Sequence, residues 1–202
     1  MIEALYLDES GRLEFEATVE RVVDDRIVLD RTAFYPEGGG QPSDIGEIVA
    51  GEARAAVKEV LKAGDIVLHR VEPAVFRRGQ RVTGRVDWER RRSLMVHHTA
   101  THILLGALKK VLGPHVWQQG AQKGVERSRL DVSHFRRISR GEMEEVERLC
   151  NRVIFENRRV LARWMDRNEA EGRYGFELYQ GGVVPGRKLR VVEVEGWNVQ
   201  AC

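Results

Sequence analysis

The sequence predicts an α+β fold in two parts, a β-rich part over residues 1–88 and a part over 89–202 that mixes long helices with strands. Three observations predict it. Short apolar, β-branched runs recur through the first part, punctuated by Gly and Asp at short intervals. At Trp88 the texture changes to apolar residues in helical spacing. A second helical stripe follows Ser139 and Glu142, which have the spacing of a capping box.

The elements follow in order. "LEFEATVERVV" and "RIVLDRTAF" read as strands joined by a turn at Asp24-Asp25. "SDIGEIV", "ARAAVKEVLKAGDIVLHRV" and "GQRVTGRVDW" continue the pattern, which favours a small barrel or sandwich. "ERRRSLMVHHTATHILLGALKKVLG" is apolar at 94, 95, 103, 104, 105, 108, 111 and 112, and Gly113-Pro114 stops it as a helix. "HVWQQGAQKGVERSRLDVSHF" reads as a Gly-turned hairpin. The second helix carries its stripe at 143, 146, 149, 150, 153 and 154. "RNEAEGRYG" reads as a short helix, and "KLRVVEVEGWNVQAC" closes the chain as one or two strands.

Bulk properties narrow the classes. An apolar content of 42% with 32% charged residues is that of an ordinary globular protein. No apolar run approaches the roughly 20 residues that cross a bilayer, and "MIEALYLDES" has no signal pattern. The expectation is a cytoplasmic protein with no membrane partner. Cys150 and Cys202 are too few for a disulfide framework. A net charge of +2 gives only weak global attraction to nucleic acid. Six lysines leave 27 arginines among the 33 basic residues, a bias that suits bidentate phosphate contacts and equally suits a solvated surface.

Two constellations carry chemistry. His98 and His102 lie four apart in the first helix, which brings them to one face with about 5–6 Å between Cβ atoms; His97 points elsewhere. Such a pair either grips one metal ion or simply faces solvent. The H-E-x-x-H pattern of metalloproteases fails, because Thr99 stands where the general-base glutamate belongs. Cys150 sits on an apolar stripe and reads as a small hydrophobe. Cys202 ends a strand, where ligands commonly sit, though only the fold can bring it to His102. His69, His115 and His134 are scattered; His115 and His134 flank the hairpin and stay in reserve. The second constellation, "RTAFYPEGGGQPSDIGE", has three consecutive glycines. They make either an unusual turn or a loop that another backbone or a phosphate approaches closely. The loop lacks the Gly-Lys-Ser/Thr end of a Walker loop.

Together these residues resemble a known family. "RTAFYPEGGGQPSDIGEI" and "RRRSLMVHHTATHILLGAL", with "HVWQQGAQKGVERSRLDVSHF", "MDRNEAEGRYG" and "VVEVEGWNVQAC" in the same order, resemble the editing region of alanyl-tRNA synthetase and its free-standing relatives, the AlaX family. The start at "MIEALYLDES" looks like the medium-length free-standing type. The resemblance covers nearly the whole chain. It implies an N-terminal β-barrel-like domain (1–88) with a glycine-rich motif. It also implies a zinc-binding editing domain (89–202) with two long helices on an antiparallel sheet. The activity implied is hydrolysis of mischarged alanine tRNA, Ser-tRNA(Ala) and Gly-tRNA(Ala), at one Zn2+ per chain.

In that family the zinc is held by H-x3-H plus C-x3-H. The first pair maps onto His98 and His102 and the third ligand onto Cys202. The fourth falls four residues beyond the last residue given, so a sequence truncated at its C-terminus is the expectation. The glycine motif maps onto Gly38, Gly39, Gly40 and Gln41, in a domain implied to assist discrimination. Gln118 matches a glutamine near the editing pocket. Thr99, Thr101 and Gln118 are candidates for orienting substrate or water, and Arg90, Arg91 and Arg92 for contacting the tRNA acceptor end. Two other readings compete: a non-catalytic tRNA-binding module with a vestigial histidine pair, and a zinc hydrolase of a small ester or amide.

Overall fold

A computed structural model of the chain describes residues 2–180 and 182–202. The chain forms two compact units, divided between Met95 and Val96.

The first unit opens with β1 (Glu3–Ala4) and α1 (Leu5–Asp8), then β2 (Glu14–Val23), β3 (Arg26–Leu29) and β4 (Arg31–Thr32), which pairs in parallel with β1. It continues with β5 (Gly46–Ala50), β6 (Ala53–Ala63), β7 (Ile66–Glu72) and β8 (Arg81–Val86). Six strands close a barrel in the order β2-β3-β7-β6-β5-β8. Alternation builds it: Phe15, Ala17 and Val19 of β2 point inward while Glu14, Glu16 and Glu20 face water. Register shifts at Val19/Arg21 and Val57/Glu59 are the bulges that bend strands into closure. The two halves of the Asp24-Asp25 turn differ, with Asp24 at φ 53°. The core is filled by Phe15, Phe34, Ile27, Leu29, Ile48 and a set of valines. Phe15 and Phe34 meet edge to face at 5.6 Å. Gly84 is required there, because a Cβ would lie 2.5 Å from the Phe15 ring. His69 is a core residue, its Nε2 2.8 Å from Thr32 Oγ1 and its Nδ1 3.3 Å from Ile27 O.

The chain leaves the barrel through α2 (Trp88–Leu112), whose first turns belong to the first unit. Asp87 starts the helix, its carboxylate accepting the Arg90 N–H at 2.9 Å. After α2 come β9 (Gln118–Lys123) and β10 (Ser128–Val132), an antiparallel hairpin, and α3 (Arg140–Phe155). Ser139 and Glu142 make the capping box. Only part of the expected α3 stripe is inside: Val146 and Val153 are buried, Leu149 and Cys150 half-buried, and Met143 and Ile154 exposed. The apolar neighbours of α3 reach only the middle of that stripe.

Next come β11 (Val160–Asp166), α4 (Arg167–Tyr174), a 3-10 turn at Gly175–Tyr179, β12 (Lys188–Val194) and β13 (Asn198–Ala201). The last three strands form an antiparallel sheet, β11-β12-β13. One face packs on Ala170 and Leu178 through Met165, Leu189 and Val191. The other meets α2 and α3 where Val194 joins Ile103 and Val153. Among the described residues no helix is long and apolar enough to cross a membrane.

Candidate metal centre

The site is built where α2 lies over the end of β13. Trp197 anchors the two. Its indole Nε1 donates to Ile103 O at 3.0 Å, and the ring lies against Gly106, where a Cβ would sit 2.4 Å from Nε1. Strand alternation then puts Asn198, Gln200 and Cys202 on one face, and Asn198 and Gln200 are buried on it. Cys202 stands opposite Arg190 on β12, its N–H donating to Arg190 O at 2.8 Å.

This arrangement brings His98, His102 and Cys202 together, with their ligand atoms all within 4.8 Å of one another. The imidazoles stack with centroids 5.2 Å apart, one helical turn apart on α2. Cys202 Sγ lies 3.5 Å from His102 Nε2 although 100 residues separate them. A tetrahedral zinc with bonds of about 2.0–2.1 Å to nitrogen and about 2.3 Å to sulfur holds those two atoms about 3.5 Å apart. The residues therefore fit zinc. His102 Nδ1 is buried and has no hydrogen-bond partner of good geometry among the described residues.

Burial controls the charge states. It pushes His98 down to about 3, helped by His102, Lys123 and Arg190, and pushes His102 down to about 4, helped by Lys123 and opposed by Asn198. Both rings are neutral at pH 7, the form that ligates metal. Cys202 is exposed as a residue, yet the surroundings of its sulfur drive the thiol up to about 11 against the pull of Lys123 and Arg190. Lys123, buried on β9, is lowered by desolvation and held up by Cys202. Lys123, Arg190 and Asn198 are the neighbours that sequence reasoning missed. The alternation of "NVQAC" signals Asn198, but no local spacing ties Lys123 or Arg190 to the histidines.

The remaining sequence-predicted residues fall as follows. Thr101 is buried and its hydroxyl donates to His98 O at 2.7 Å, so its donor is used inside the helix. Thr99 is half-buried. Gln118 is half-buried beside a register shift in the hairpin, a place where a strand re-aims side chains. His97 Nδ1 is bonded to Gly124 O. His115 and His134 pair with each other, Nε2 to Nδ1 at 2.9 Å. Cys150 is half-buried against the α2–α3 core.

In the first unit, the glycine motif is a tight turn. Gly38 and Gln41 exchange two backbone hydrogen bonds around Gly39 and Gly40, at φ 58° and 75°. The left-handed backbone makes glycine favoured at both central positions. Gly38, Gly39 and Gly40 are exposed and Gln41 is buried. The expectation that Arg91 contacts phosphate is corrected. Arg91 is 3% exposed and engages Asp44 through Nε at 3.0–3.1 Å, Ser10 O and Ala33 O. Such a desolvated pair, with its donors occupied, is structural. Arg90 is half-buried and donates to Ser43 O at 2.9 Å, and Arg92 is exposed.

Comparison with known proteins gives the class. The family model described as tRNA synthetases class II (A) matches residues 3–90. The chain is 55% identical over 199 residues to the alanine–tRNA ligase of Pyrococcus abyssi and 54% identical over 199 to that of Pyrococcus furiosus. It is 54% identical over 204 residues to that of Methanopyrus kandleri. Over nearly its whole length the chain is similar to one segment of these alanine–tRNA ligases. The matches cover 98–99% of this chain and 22% of each of these ligases.

Proposed function

We propose that the chain is a zinc-dependent aminoacyl-tRNA deacylase that hydrolyses mischarged alanine tRNA, Ser-tRNA(Ala) and Gly-tRNA(Ala), in the cytoplasm. The single observation that carries the reading is the convergence of His98, His102 and Cys202 in a chain related to alanine–tRNA ligases.

The substrate is an ester between an amino acid and a terminal ribose hydroxyl. Its hydrolysis needs an attacking water and support for the carbonyl oxygen as negative charge develops. His98, His102 and Cys202 would hold the ion. When bound, zinc supplies Lewis acidity or lowers the pKa of a water. Lys123 and Arg190 add a positive field around the same atoms, which favours the developing oxyanion. Selection of serine over alanine requires groups that hydrogen-bond the extra hydroxyl. Such a site discriminates more strongly than an apolar pocket does. Thr99 and the Gln118 amide are the polar groups assigned to that task, while Thr101 holds the His98 turn.

The test is deacylation of seryl-, glycyl- and alanyl-tRNA(Ala) by the zinc-loaded protein. The expected outcome is rapid loss of the seryl and glycyl esters, persistence of the alanyl ester, and background rates for His98→Ala and Cys202→Ala. Equal indifference to all three esters rejects the reading. Salt-dependent tRNA binding without turnover marks a binding module instead. Turnover of small esters without tRNA marks a general hydrolase.

A further inference from the structure

The sheet that delivers Cys202 carries a second feature on the same face. Across an antiparallel ladder, directly paired residues point to the same side. Trp164 on β11 pairs with Arg190 on β12. Arg190 in turn stands opposite Cys202, whose N–H donates to its carbonyl. Trp164, Arg190 and Cys202 therefore form one row across three strands.

The row is covered unevenly. Val192 and Val194, on this face of β12, are 8% and 1% exposed. Val160 and Trp164, on the same face of β11, are 47% and 49% exposed. The cover that buries β12 stops short of β11 and leaves the half-open Trp164 on a backbone two strand spacings, about 10 Å, from that of the candidate thiolate ligand. A nucleoside spans a comparable distance from its base to an acyl group on its ribose. In the ladder, Arg190 occupies the position between Trp164 and Cys202.

We propose that Trp164 is the stacking platform for the terminal adenine of the acylated RNA, with Arg190 beneath the ribose and reaching toward its 5′-phosphate. The proposal rests on the deacylase reading and deepens it by assigning a seat to the nucleotide that bears the ester. Aromatic faces bind unpaired bases by stacking, and guanidinium groups take phosphate. Trp164 is a positioning residue: it sets where the ester lies relative to His98, His102 and Cys202 without touching the reacting atoms.

The test compares wild type, Trp164→Ala and Trp164→Phe, all zinc-loaded, on seryl-tRNA(Ala). Trp164→Ala should raise KM about tenfold to a hundredfold, the effect of losing one stacked base, with a smaller change in kcat. Trp164→Phe should recover most of the loss, because it keeps a ring. Tryptophan fluorescence supplies a readout independent of turnover. Adenosine 5′-monophosphate should quench wild type, ribose 5-phosphate should not, and an RNA hairpin with a single-stranded adenosine 3′ end should quench at lower concentration than the free nucleotide. The Phe variant should lack the quenched component. A wild type that deacylates while both variants keep its KM overturns the seat and leaves the hydrolase intact. Nucleotide quenching assigned to Trp164 in a protein without deacylase activity supports the seat and removes the hydrolase. Quenching by the free nucleotide and not by the RNA end overturns the RNA terminus as occupant.

Discussion

His98 and His102 meet the site as neutral rings, and Cys202 meets it as a protonated thiol. That asymmetry sets how the centre responds to pH. Both imidazoles are held at about 3 and about 4 by burial, so neither has a proton to lose above roughly pH 5. The Cys202 thiol, driven up to about 11, must give up its proton when it ligates. One proton is therefore exchanged for one metal ion between pH 6 and pH 8. The apparent zinc affinity should rise by about tenfold per pH unit over that range. Competition titration with a chromogenic chelator measures it. A slope near zero would mean that the sulfur is not a ligand, and Cys202→Ser is expected to flatten the profile. At the same scale, Arg91 shows the limit of reading residues by type. Arginine in a helix-flanking triplet suggests phosphate binding, yet this one is consumed by Asp44 and two carbonyls. Its neighbours in sequence do not reveal that partner, because Asp44 lies 47 positions away.

At the scale of elements, β13 and α2 depend on each other. Gly106 leaves the space that the Trp197 ring fills, and Trp197 precedes the strand that carries Asn198, Gln200 and Cys202. Gly106→Ala puts a methyl into the indole and should destabilise the second unit by about 1–3 kcal/mol, the usual range for overpacking. Because the same shift moves β13, zinc affinity should fall with it, whereas Gly141→Ala, at an open position of α3, should leave affinity unchanged and raise stability by about 0.4–1 kcal/mol. Thermal unfolding and zinc titration of the two variants check this. A Gly106→Ala protein with unchanged stability and affinity would remove the anchor from the account. The elements themselves were largely readable from the chain. Period-2 alternation gives β2, helical spacing and Gly113 give α2, and Ser139 with Glu142 gives the start of α3. What could not be read is which parts of each pattern are covered. The α3 stripe is continuous in sequence, but Met143 and Ile154 remain exposed because its packing partners reach only its middle. The glycine triplet illustrates the same point: its residue types allow a turn or a cradle, and the positive φ values with mutual Gly38–Gln41 bonding decide for the turn.

At the scale of the whole molecule, each unit has its own core, one within a closed barrel and one among helices and a three-stranded sheet. The barrel combines local hairpins, β2–β3, β5–β6 and β6–β7, with the distant pairings β2–β8, β3–β7 and β5–β8, and alternation sets which side chains its strands turn inward. The His98, His102 and Cys202 cluster has a different origin. It depends on a chain end returning to a helix 100 residues earlier, a closure that no local signal encodes. The two histidines could be found from their spacing, and Cys202 through likeness to a family. Their meeting is a property of the sheet order and of Trp197. The central claim is that these three side chains hold one zinc ion. X-ray absorption at the zinc edge, on protein loaded with one equivalent of metal, tests it most directly. The account predicts a first shell with two imidazole nitrogens at about 2.0–2.1 Å and one sulfur at about 2.3 Å, and loss of the sulfur scatterer in Cys202→Ser. A shell of nitrogen and oxygen alone in the wild type would contradict it.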